Sequence, residues 1–504
     1  MTHGAVISAK GRAKSKVMAV STNMKAWAAA LTVVLALPSR GAELPDFGTP
    51  ADTALSKSRE SQIGRGVMLQ LRNAGIVMDD PLLTEYVTTI GSQLASRAND
   101  GTFQFEFFVA KDDQINAFAL PGGFVGINSG LIVASETESE LAGVLAHEIS
   151  HVTQRHIARA AYDNQRTSIM SIAALLAAVV LGASGNVSGQ AMQGIMMGSQ
   201  ALAAQRSINF TRANESEADR VGMELLSSAG FDPNGMAAFF DKLGKRYGGS
   251  NQYVPAILQS HPVTAERTAE ARSRARTLPA VTHTDSVNYA LAKARIQVLS
   301  ATTPEAAFDA FRGKKDSTSP GDRYGLALAS MQLNLNDNAE ATFKELIAEN
   351  PSVIAFRIGQ AEALQASGAT DAAQRNYKES VRLFPRNIPL TISYAEALIA
   401  DGKAAEAHEL LLDLLNNVPA TPPYLRLIAR AANAEGDVAN AYFYMSYYYA
   451  SIGNLPLAIG QVRLALETPD VHTVDRARFR ARLDQLLEYL PEEQRELATT
   501  SGRR

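Results

Sequence analysis

The chain has 504 residues, enough for two or three domains, and 46% of them are hydrophobic, which is ordinary for a folded protein. A net charge of −3 supplies no basic field, so no nucleic-acid partner is expected. The sequence contains no cysteine, which excludes disulfides, thiolate metal sites, a thiol nucleophile and a lipid-bearing N-terminal Cys.

Residues 1–41 have the pattern of a signal peptide. A lysine precedes an apolar run from Ala26 to Leu37, small residues follow, and cleavage is expected after Gly41. Met24 is an alternative start. The apolar run is short for the other interpretation, an uncleaved membrane anchor. The pattern therefore predicts export, most simply to the periplasm.

Two amphipathic helices are predicted next, and the second begins with Asp80 as its cap and Pro81 in its first turn. The segment FQFEFFVA alternates between apolar and polar residues and predicts a strand. The segment INAFALPGGFVGINSGLI indicates two short strands bent at residues 121–123. The acidic stretch SETESE then suits the beginning of a helix.

That helix contains LAGVLAHEISHVTQRH, with three of the chain's 8 histidines. Positions i and i+4 lie about 40° apart on a helix, so His147 and His151 can bind one metal ion. Glu148 is rotated by about 100° and lies beside a metal-bound water, whose pKa zinc lowers and whose proton Glu148 takes during attack on a peptide carbonyl. The pattern predicts one Zn²⁺ per chain; solvated histidines are the alternative. His156 falls about 140° from the His151 face and is predicted to be structural.

A zinc site needs a third protein ligand, and the predicted helix INFTRANESEADRVGMELL offers acidic residues. Glu215 and Asp219 are four residues apart and share a face. One of them can bind zinc while the other accepts the N–H of a ligating histidine, and we predict Glu215 as the ligand and Asp219 as the residue that orients the histidine. Spacing alone does not exclude Glu217, and a solvated acidic face is the alternative.

HEISH followed by NESEADRVG resembles the gluzincin metalloproteases of the CAAX-prenyl-protease branch, over most of residues 55–275. In that branch E-x-x-x-D supplies the third ligand, which implies Glu215. A further H-P-x-x-x-x-R element comprises His261, Pro262 and Arg267. The resemblance implies that His261 is a regulatory fourth ligand that holds the enzyme shut. Two alternatives remain: a turn histidine, or catalytic action of His261 with Arg267 at the developing oxyanion.

The same resemblance implies further site residues and partners. Proteases of this clan bind an extended substrate along an edge strand ahead of the zinc helix, which corresponds to Asn116, Ala117 and Phe118 here. Exported members with a tetratricopeptide tail act in quality control and assembly of outer-membrane β-barrel proteins. The implied partners are unfolded or misassembled outer-membrane proteins and the β-barrel assembly machinery, with a chaperone role as well.

Residues 167–205 contain no charged residue and indicate a helical hairpin. A membrane span is one interpretation, but the apolar run is short for it. A buried core hairpin and a lid over the active site, able to make peripheral contact with a membrane or a hydrophobic substrate, are the favoured ones.

The C-terminal half repeats every 34 residues, which is typical of tetratricopeptide repeats. Small, bulky and turn residues recur in phase. The prolines that close each helix pair are Pro351, Pro385 and Pro419; the small residues are Ala327, Ala361 and Ala395, then Ala339, Ala373 and Ala407; the bulky ones are Phe343, Tyr377 and Leu411; the turns are at Gly368, Gly402 and Gly436. A tyrosine-rich segment, NAYFYMSYYYASIG, either anchors partners or packs between helices.

These observations predict a mainly α chain. An α+β zincin-type metalloprotease domain with a small β-sheet occupies residues 42–280, and an α-solenoid of tetratricopeptide repeats occupies 281–504. The predicted function is a periplasmic zinc endopeptidase in which Glu148 activates water. The alternative is a non-catalytic tetratricopeptide scaffold or chaperone with a vestigial zinc site. A scaffold has no reason to keep Glu148, which favours the enzyme.

Overall fold

The computed structural model describes residues 55–98, 103–163, 212–247, 255–314 and 317–489, all within one compact unit, Thr49–Arg504. The predicted signal peptide and the predicted hairpin 167–205 lie outside these residues. Across the described ranges, no helix combines the length and the apolar character that a membrane crossing requires.

The first half of the described chain combines helices with one small sheet. Its elements are Lys57–Asn73 (α1), Pro81–Ala95 (α2), Glu106–Ala110 (β1), Ala117–Leu120 (β2), Phe124–Asn128 (β3), Ser129–Ala134 (α3), Glu138–Thr153 (α4), His156–Asp163 (α5), Arg212–Ser228 (α6), Asn234–Tyr247 (α7), Ala256–Ser260 (α8) and Ala265–Thr277 (α9).

The two predicted helices and three predicted strands are present. Asp80 caps α2, since its Oδ1 accepts from the N–H of Leu83 at 3.0 Å. The strand order is β1-β3-β2, with β1 parallel and β2 antiparallel to β3, so β2 is an edge strand. Gly122 and Gly123 adopt φ of 85° and 96° at the bend, which favours glycine. A Cβ on Gly122 would lie 2.5 Å from Ser61 Cα.

Helices α4 and α6 pack closely in the centre of the first half. Thr137 caps α4, and its hydroxyl accepts from the Glu140 N–H at 3.2 Å. Gly222 lies at the contact with α4, where a Cβ would be 3.1 Å from both Ala146 C and His147 N. This close approach brings the acidic residues of α6 next to the histidines of α4.

The second half is a run of antiparallel helix pairs, as the 34-residue period predicts. Its helices are Val287–Leu299 (α10), Pro304–Arg312 (α11), Pro320–Gln332 (α12), Asn336–Glu349 (α13), Ile354–Ala366 (α14), Thr370–Leu383 (α15), Ile388–Ala400 (α16), Ala404–Asn417 (α17), Pro422–Glu435 (α18), Val438–Ser451 (α19), Leu455–Glu467 (α20) and Thr473–Glu488 (α21). The repeated alanines and bulky residues are buried, and Gly368, Gly402 and Gly436 have φ of 84°, 76° and 97° at the turns.

The solenoid contacts the first half through α2 and the residues before it. Leu82 packs against the hydrophobic clusters of both ends of the solenoid. Asn387 donates to Glu85 Oε1 at 3.0 Å, and Arg295 Nε donates to Asp80 Oδ2 at 2.7 Å. The repeats therefore curl back against the first half.

The tyrosine-rich helix α19 contributes to packing and to an open surface. Tyr444 is buried, and the guanidinium of Arg482 lies 3.8 Å from the ring centre of Tyr447. Tyr442 is partly buried and lines a cavity of about 540 Å³ between α18, α19 and the residues before α2. The structure thus shows packing for part of this segment, and the anchoring of partners stays a prediction.

Candidate metal centre

Four buried side chains converge between α4, α6 and the loop after α8. The Nε2 atoms of His147 and His151 are 3.0 Å apart, which the i, i+4 spacing produces on one helix face. Glu215 lies 3.5 Å from each, through Oε2 to His147 Nε2 and through Oε1 to His151 Nε2. His261 Nδ1 lies 3.3 Å from His147 Nε2 and 3.0 Å from Glu215 Oε1.

These distances suit a metal ion. A tetrahedron with zinc–ligand bonds of about 2.0–2.1 Å has edges of about 3.3 Å, close to the separations among the four groups. The lone pairs of three imidazole nitrogens and a carboxylate face one point and repel one another. A bound cation would relieve that repulsion. The group His147, His151, Glu215 and His261 could thus hold a metal.

Glu148 lies beside this group and outside it. Its side chain is 1% exposed, and its Oε1 has no hydrogen-bond partner among the described residues. His261 Nε2, at 3.7 Å from that oxygen, is a close neighbour. A buried carboxylate with an unused oxygen next to a metal-binding group is placed to accept a proton from bound water.

Asp219 connects the centre to Arg267. Asp219 Oδ1 lies 2.9 Å from His147 Nδ1, and both its oxygens accept from Arg267, at 2.7 and 2.8 Å. Burial alone would raise the pKa of Asp219, but the hydrogen bonds from Arg267 and His147 outweigh it and hold that pKa below its usual value. Arg267 also donates to the carbonyl of Pro262 and lies 2.9 Å from Glu215 Oε2. Its guanidinium thus ties α6 to the His261 loop.

The acids of α6 also set the charge of the metal-binding group. Burial lowers the pKa of His147, but Asp219 and Glu215 overcome this and raise it to about 10. Burial and the neighbouring His147 and His261 hold the pKa of His151 well below its usual value. Burial would raise the pKa of Glu215, and the adjacent His261 and His147 lower it instead. The acids of α6 therefore favour positive charge at this position, which agrees with binding of a cation.

His156 lies next to His151, contrary to the 140° separation expected on a continuous helix. Helix α4 ends at Thr153, and Arg155 takes the left-handed φ of 53°, which turns the chain back. The Nδ1 atoms of His151 and His156 are 2.9 Å apart, and His156 Nε2 is 3.1 Å from Glu217 Oε2. Glu217 therefore contacts a neighbour of the ligand group and lies outside that group.

A second polar cluster at the N-terminus of α4 has no signal in the sequence pattern. Glu138 accepts from the Tyr86 hydroxyl at 3.1 Å, from His283 Nε2 at 2.9 Å, and from the N–H and hydroxyl of Ser286 at 2.9 and 2.6 Å. Its own N–H donates to Asp285 Oδ1 at 2.9 Å. These bonds tie the segment before α10 to the helix that carries His147 and His151.

The predicted substrate residues Asn116, Ala117 and Phe118 lie at the beginning of the edge strand β2. Asn116 O accepts from the N–H of Asn128 at 3.0 Å, so Asn116 and Phe118 are the residues whose backbones bond to β3. The N–H and C=O of Ala117 point the other way, toward the edge that β3 does not occupy. β2 also packs against α4.

Residues 81–275 match peptidase family M48, and residues 364–431 match a tetratricopeptide repeat family. A protein of Vibrio cholerae named putative beta-barrel assembly-enhancing protease is 41% identical over 315 residues, which are 61% of this chain and 64% of that protein. The beta-barrel assembly-enhancing protease of Escherichia coli is 39% identical over 317 residues, 61% of this chain and 63% of that protein.

The metalloprotease LoiP of Escherichia coli is 30% identical over 197 residues, which are 38% of this chain and 72% of that protein. The match to LoiP is shorter than the matches to the two assembly-enhancing proteases. Even so, the chain spans somewhat under two thirds of the length of those two relatives.

Proposed function

Because this chain belongs to peptidase family M48, whose members depend on zinc, we propose that it is a zinc endopeptidase with one zinc ion per chain. The observation that carries the proposal is the convergence of His147, His151 and Glu215 beside the buried, unbonded oxygen of Glu148. These three residues would hold the ion. When bound, zinc would polarise the scissile carbonyl and lower the pKa of the attacking water.

The chain's own residues supply the base and its alignment. Glu148 takes the proton of the attacking water and passes it to the leaving amine. Asp219 accepts the Nδ1–H of His147, which leaves Nε2 free for the metal. The guanidinium of Arg267 contacts Asp219, Glu215 and the Pro262 carbonyl and lies over the Phe240 ring, which supports a positioning role more than one at the oxyanion.

We place the substrate along the outer edge of β2. Ala117 is buried, but its N–H and C=O face away from β3, so an extended peptide that displaces its cover could pair there as a further strand beside α4. Backbone pairing of this kind binds many sequences in the same extended form.

We also propose that His261 closes the site as a regulatory fourth ligand. Its Nδ1 lies in the ligand group, where it would take the position that a catalytic water needs. The loop that carries it is attached near the substrate edge, because the Ile257 N–H donates to Ile115 O at 3.4 Å. His261 follows the five-residue helix α8, whereas His147, His151 and Glu215 lie within helices of 16 and 17 residues, so His261 is the member of the group that could withdraw with its loop.

For the whole protein we propose a periplasmic role in quality control and assembly of outer-membrane β-barrel proteins, with a chaperone function. The names of the Vibrio and Escherichia relatives support the part in β-barrel assembly, and the predicted signal peptide supports the periplasm. The protease domain would occupy residues 42–280, and the repeats, 281–504, would hold unfolded barrel proteins or the β-barrel assembly machinery. The 540 Å³ cavity beside α18 and α19 offers one surface for such contacts.

Zinc analysis together with casein hydrolysis tests the enzymatic proposal. We expect one zinc per chain in the wild type and in Glu148→Gln, and hydrolysis by the wild type alone, because the variant keeps the ligands and loses the base. The alternative, a scaffold with a vestigial site, predicts no hydrolysis by either protein, including after removal of the His261 ring.

A further inference from the structure

His156 is outside the ligand group but contacts one of its members. Its Nδ1 is 2.9 Å from Nδ1 of His151, so a proton is shared between the two rings. On its other side, Nε2 is 3.1 Å from Glu217 Oε2. Both rings are almost completely buried, at 1% exposure for His151 and 0% for His156, so bulk water does not compete for these hydrogen bonds.

One arrangement of protons agrees with metal binding. His151 directs Nε2 toward the ligand group, and a nitrogen that binds a metal carries no proton, so its ring proton is on Nδ1. His151 then donates to His156, which accepts at Nδ1 and carries its own proton on Nε2. That proton points at the Glu217 carboxylate. The reverse arrangement would place a proton on His151 Nε2 and turn a bare nitrogen of His156 toward a carboxylate.

We propose that His156 and Glu217 are positioning residues that hold His151 in the tautomer and orientation that bind zinc. This inference rests on the proposed function, because it takes His151 as a zinc ligand. A hydrogen-bonded partner on the second ring nitrogen fixes a ligating histidine and raises its basicity. For His151 the hydrogen-bonded partner is His156, and the carboxylate of Glu217 contacts the far side of the His156 ring.

His147, the other ligand histidine, is also hydrogen-bonded on its second ring nitrogen, but directly to a carboxylate. His147 meets Asp219 directly, at 2.9 Å, and Asp219 is held by Arg267. Glu217 is likewise held by a guanidinium, since Arg159 Nη1 donates to its Oε2 at 2.8 Å. Helix α6 therefore provides Glu215 to the ligand group and a supporting carboxylate for each of the two histidines of α4.

The left-handed turn at Arg155 makes the contact of His156 possible. The Arg155 guanidinium is buried and donates to Leu55 O at 2.6 Å and to Glu60 Oε2 at 3.2 Å. These bonds hold the turn against α1, so the His156 ring is kept beside His151 by the fold itself.

The test measures zinc affinity of the purified full chain by competition with a chelator, and the absorption spectrum of the Co²⁺-substituted protein. His156→Leu removes the acceptor and should weaken zinc binding by about 10–100-fold. His156→Asn keeps an oxygen near the Nδ1 position and should restore most of the affinity. Glu217→Gln keeps an acceptor without its charge and should cause a smaller loss. The Co²⁺ spectrum should change most in His156→Leu.

If His156 only stabilises the fold, substituting it would lower the melting temperature of the metal-free protein and leave the zinc affinity of the folded protein unchanged. Folded His156→Leu with wild-type affinity, or His156→Asn as weak as His156→Leu, would overturn the inference. If His156→Leu does not fold, Glu217→Gln decides, and unchanged affinity there is equally negative. A wild-type chain that binds no zinc would instead overturn the proposed function, and this inference with it.

Discussion

The ring of His261 connects the ligand group to the candidate base: its Nε2 lies 3.7 Å from Glu148 Oε1 while its Nδ1 lies 3.0 Å from Glu215 Oε1. A single imidazole therefore lies between the ligand group and Glu148. Under the proposed closing role of His261, this ring would have to move before water or substrate could reach Glu148.

The first prediction removes that ring. His261→Ala should raise hydrolysis of unfolded casein several-fold, and self-cleavage with it, because three ligands remain for the metal and the water position is open. Zinc content is measured in parallel, and His472→Ala, an exposed histidine of the solenoid, is the control. Reduced activity at full zinc content would contradict the closing role and favour stabilisation of the oxyanion by His261 with Arg267.

The second prediction separates the acids of α6. Glu215→Gln should lose nearly all zinc during purification, whereas Glu217→Gln should keep close to one zinc per chain, because only Glu215 lies among the ligand nitrogens. Metal analysis of the two purified variants makes the comparison. Greater loss from Glu217→Gln would move the third ligand by two residues and refute the assignment made from the shared helix face.

The third prediction concerns the outer edge of β2. Ala117→Pro should impair cleavage and leave zinc binding intact, since proline removes an outward N–H without touching a ligand or a bond to β3. Ala117→Gly keeps that N–H and serves as the control. Unchanged turnover by Ala117→Pro, measured on the same casein substrate, would place the substrate elsewhere.

The ligand pair could be found from sequence because it depends on local geometry alone. His147 and His151 are one helical turn apart, and any helix over Glu138–Thr153 brings them together. The repeat helices are predictable for a similar reason, since the small residues recur with the helix pairs and Ala361, Ala395 and Ala429 are buried where neighbouring helices meet.

The contact between His156 and His151 could not be found in this way because it depends on where α4 ends. The left-handed residue there is Arg155, whereas glycine or asparagine usually marks such a turn. The bonds of Glu138 are equally hidden, because its partners Tyr86, His283 and Ser286 are distant in sequence. Contacts between segments that are distant in sequence depend on how the helices pack, and the periodicity of apolar residues does not predict that packing.

The fourth prediction tests the Glu138 cluster. Glu138→Ala leaves the Tyr86 hydroxyl and the Ser286 N–H without their acceptor inside the protein, which should cost about 3 kcal/mol and lower the melting temperature by several degrees. Glu136→Ala is the control, because that side chain is 75% exposed. Thermal unfolding followed by circular dichroism gives both values. Equal melting temperatures for the two variants would show that the cluster adds little to stability.

The last prediction concerns Glu362, which faces the contact between the solenoid and the first half. Burial raises its pKa to about 7; Arg295 opposes the rise, and Asp80 and Glu396 add to it. The folded protein therefore holds this proton more tightly than the unfolded chain, where the pKa is near 4.5. The contribution of Glu362 to the free energy of unfolding is therefore greatest below pH 4.5. It falls as the pH rises toward 7 and is lost above pH 7.

Glu362→Gln removes the group that must ionise. It should raise the melting temperature at pH 8 and change it much less at pH 5. The corresponding gain in the free energy of unfolding at pH 8 is at most about 3 kcal/mol. Glu379→Gln, an exposed glutamate on the neighbouring helix α15, controls for the amide substitution itself. Melting temperatures of the three proteins between pH 5 and pH 8 decide the matter. A stabilisation that is the same at both ends of the range would mean that Glu362 ionises alike in the folded and unfolded chain, and that the raised pKa is absent.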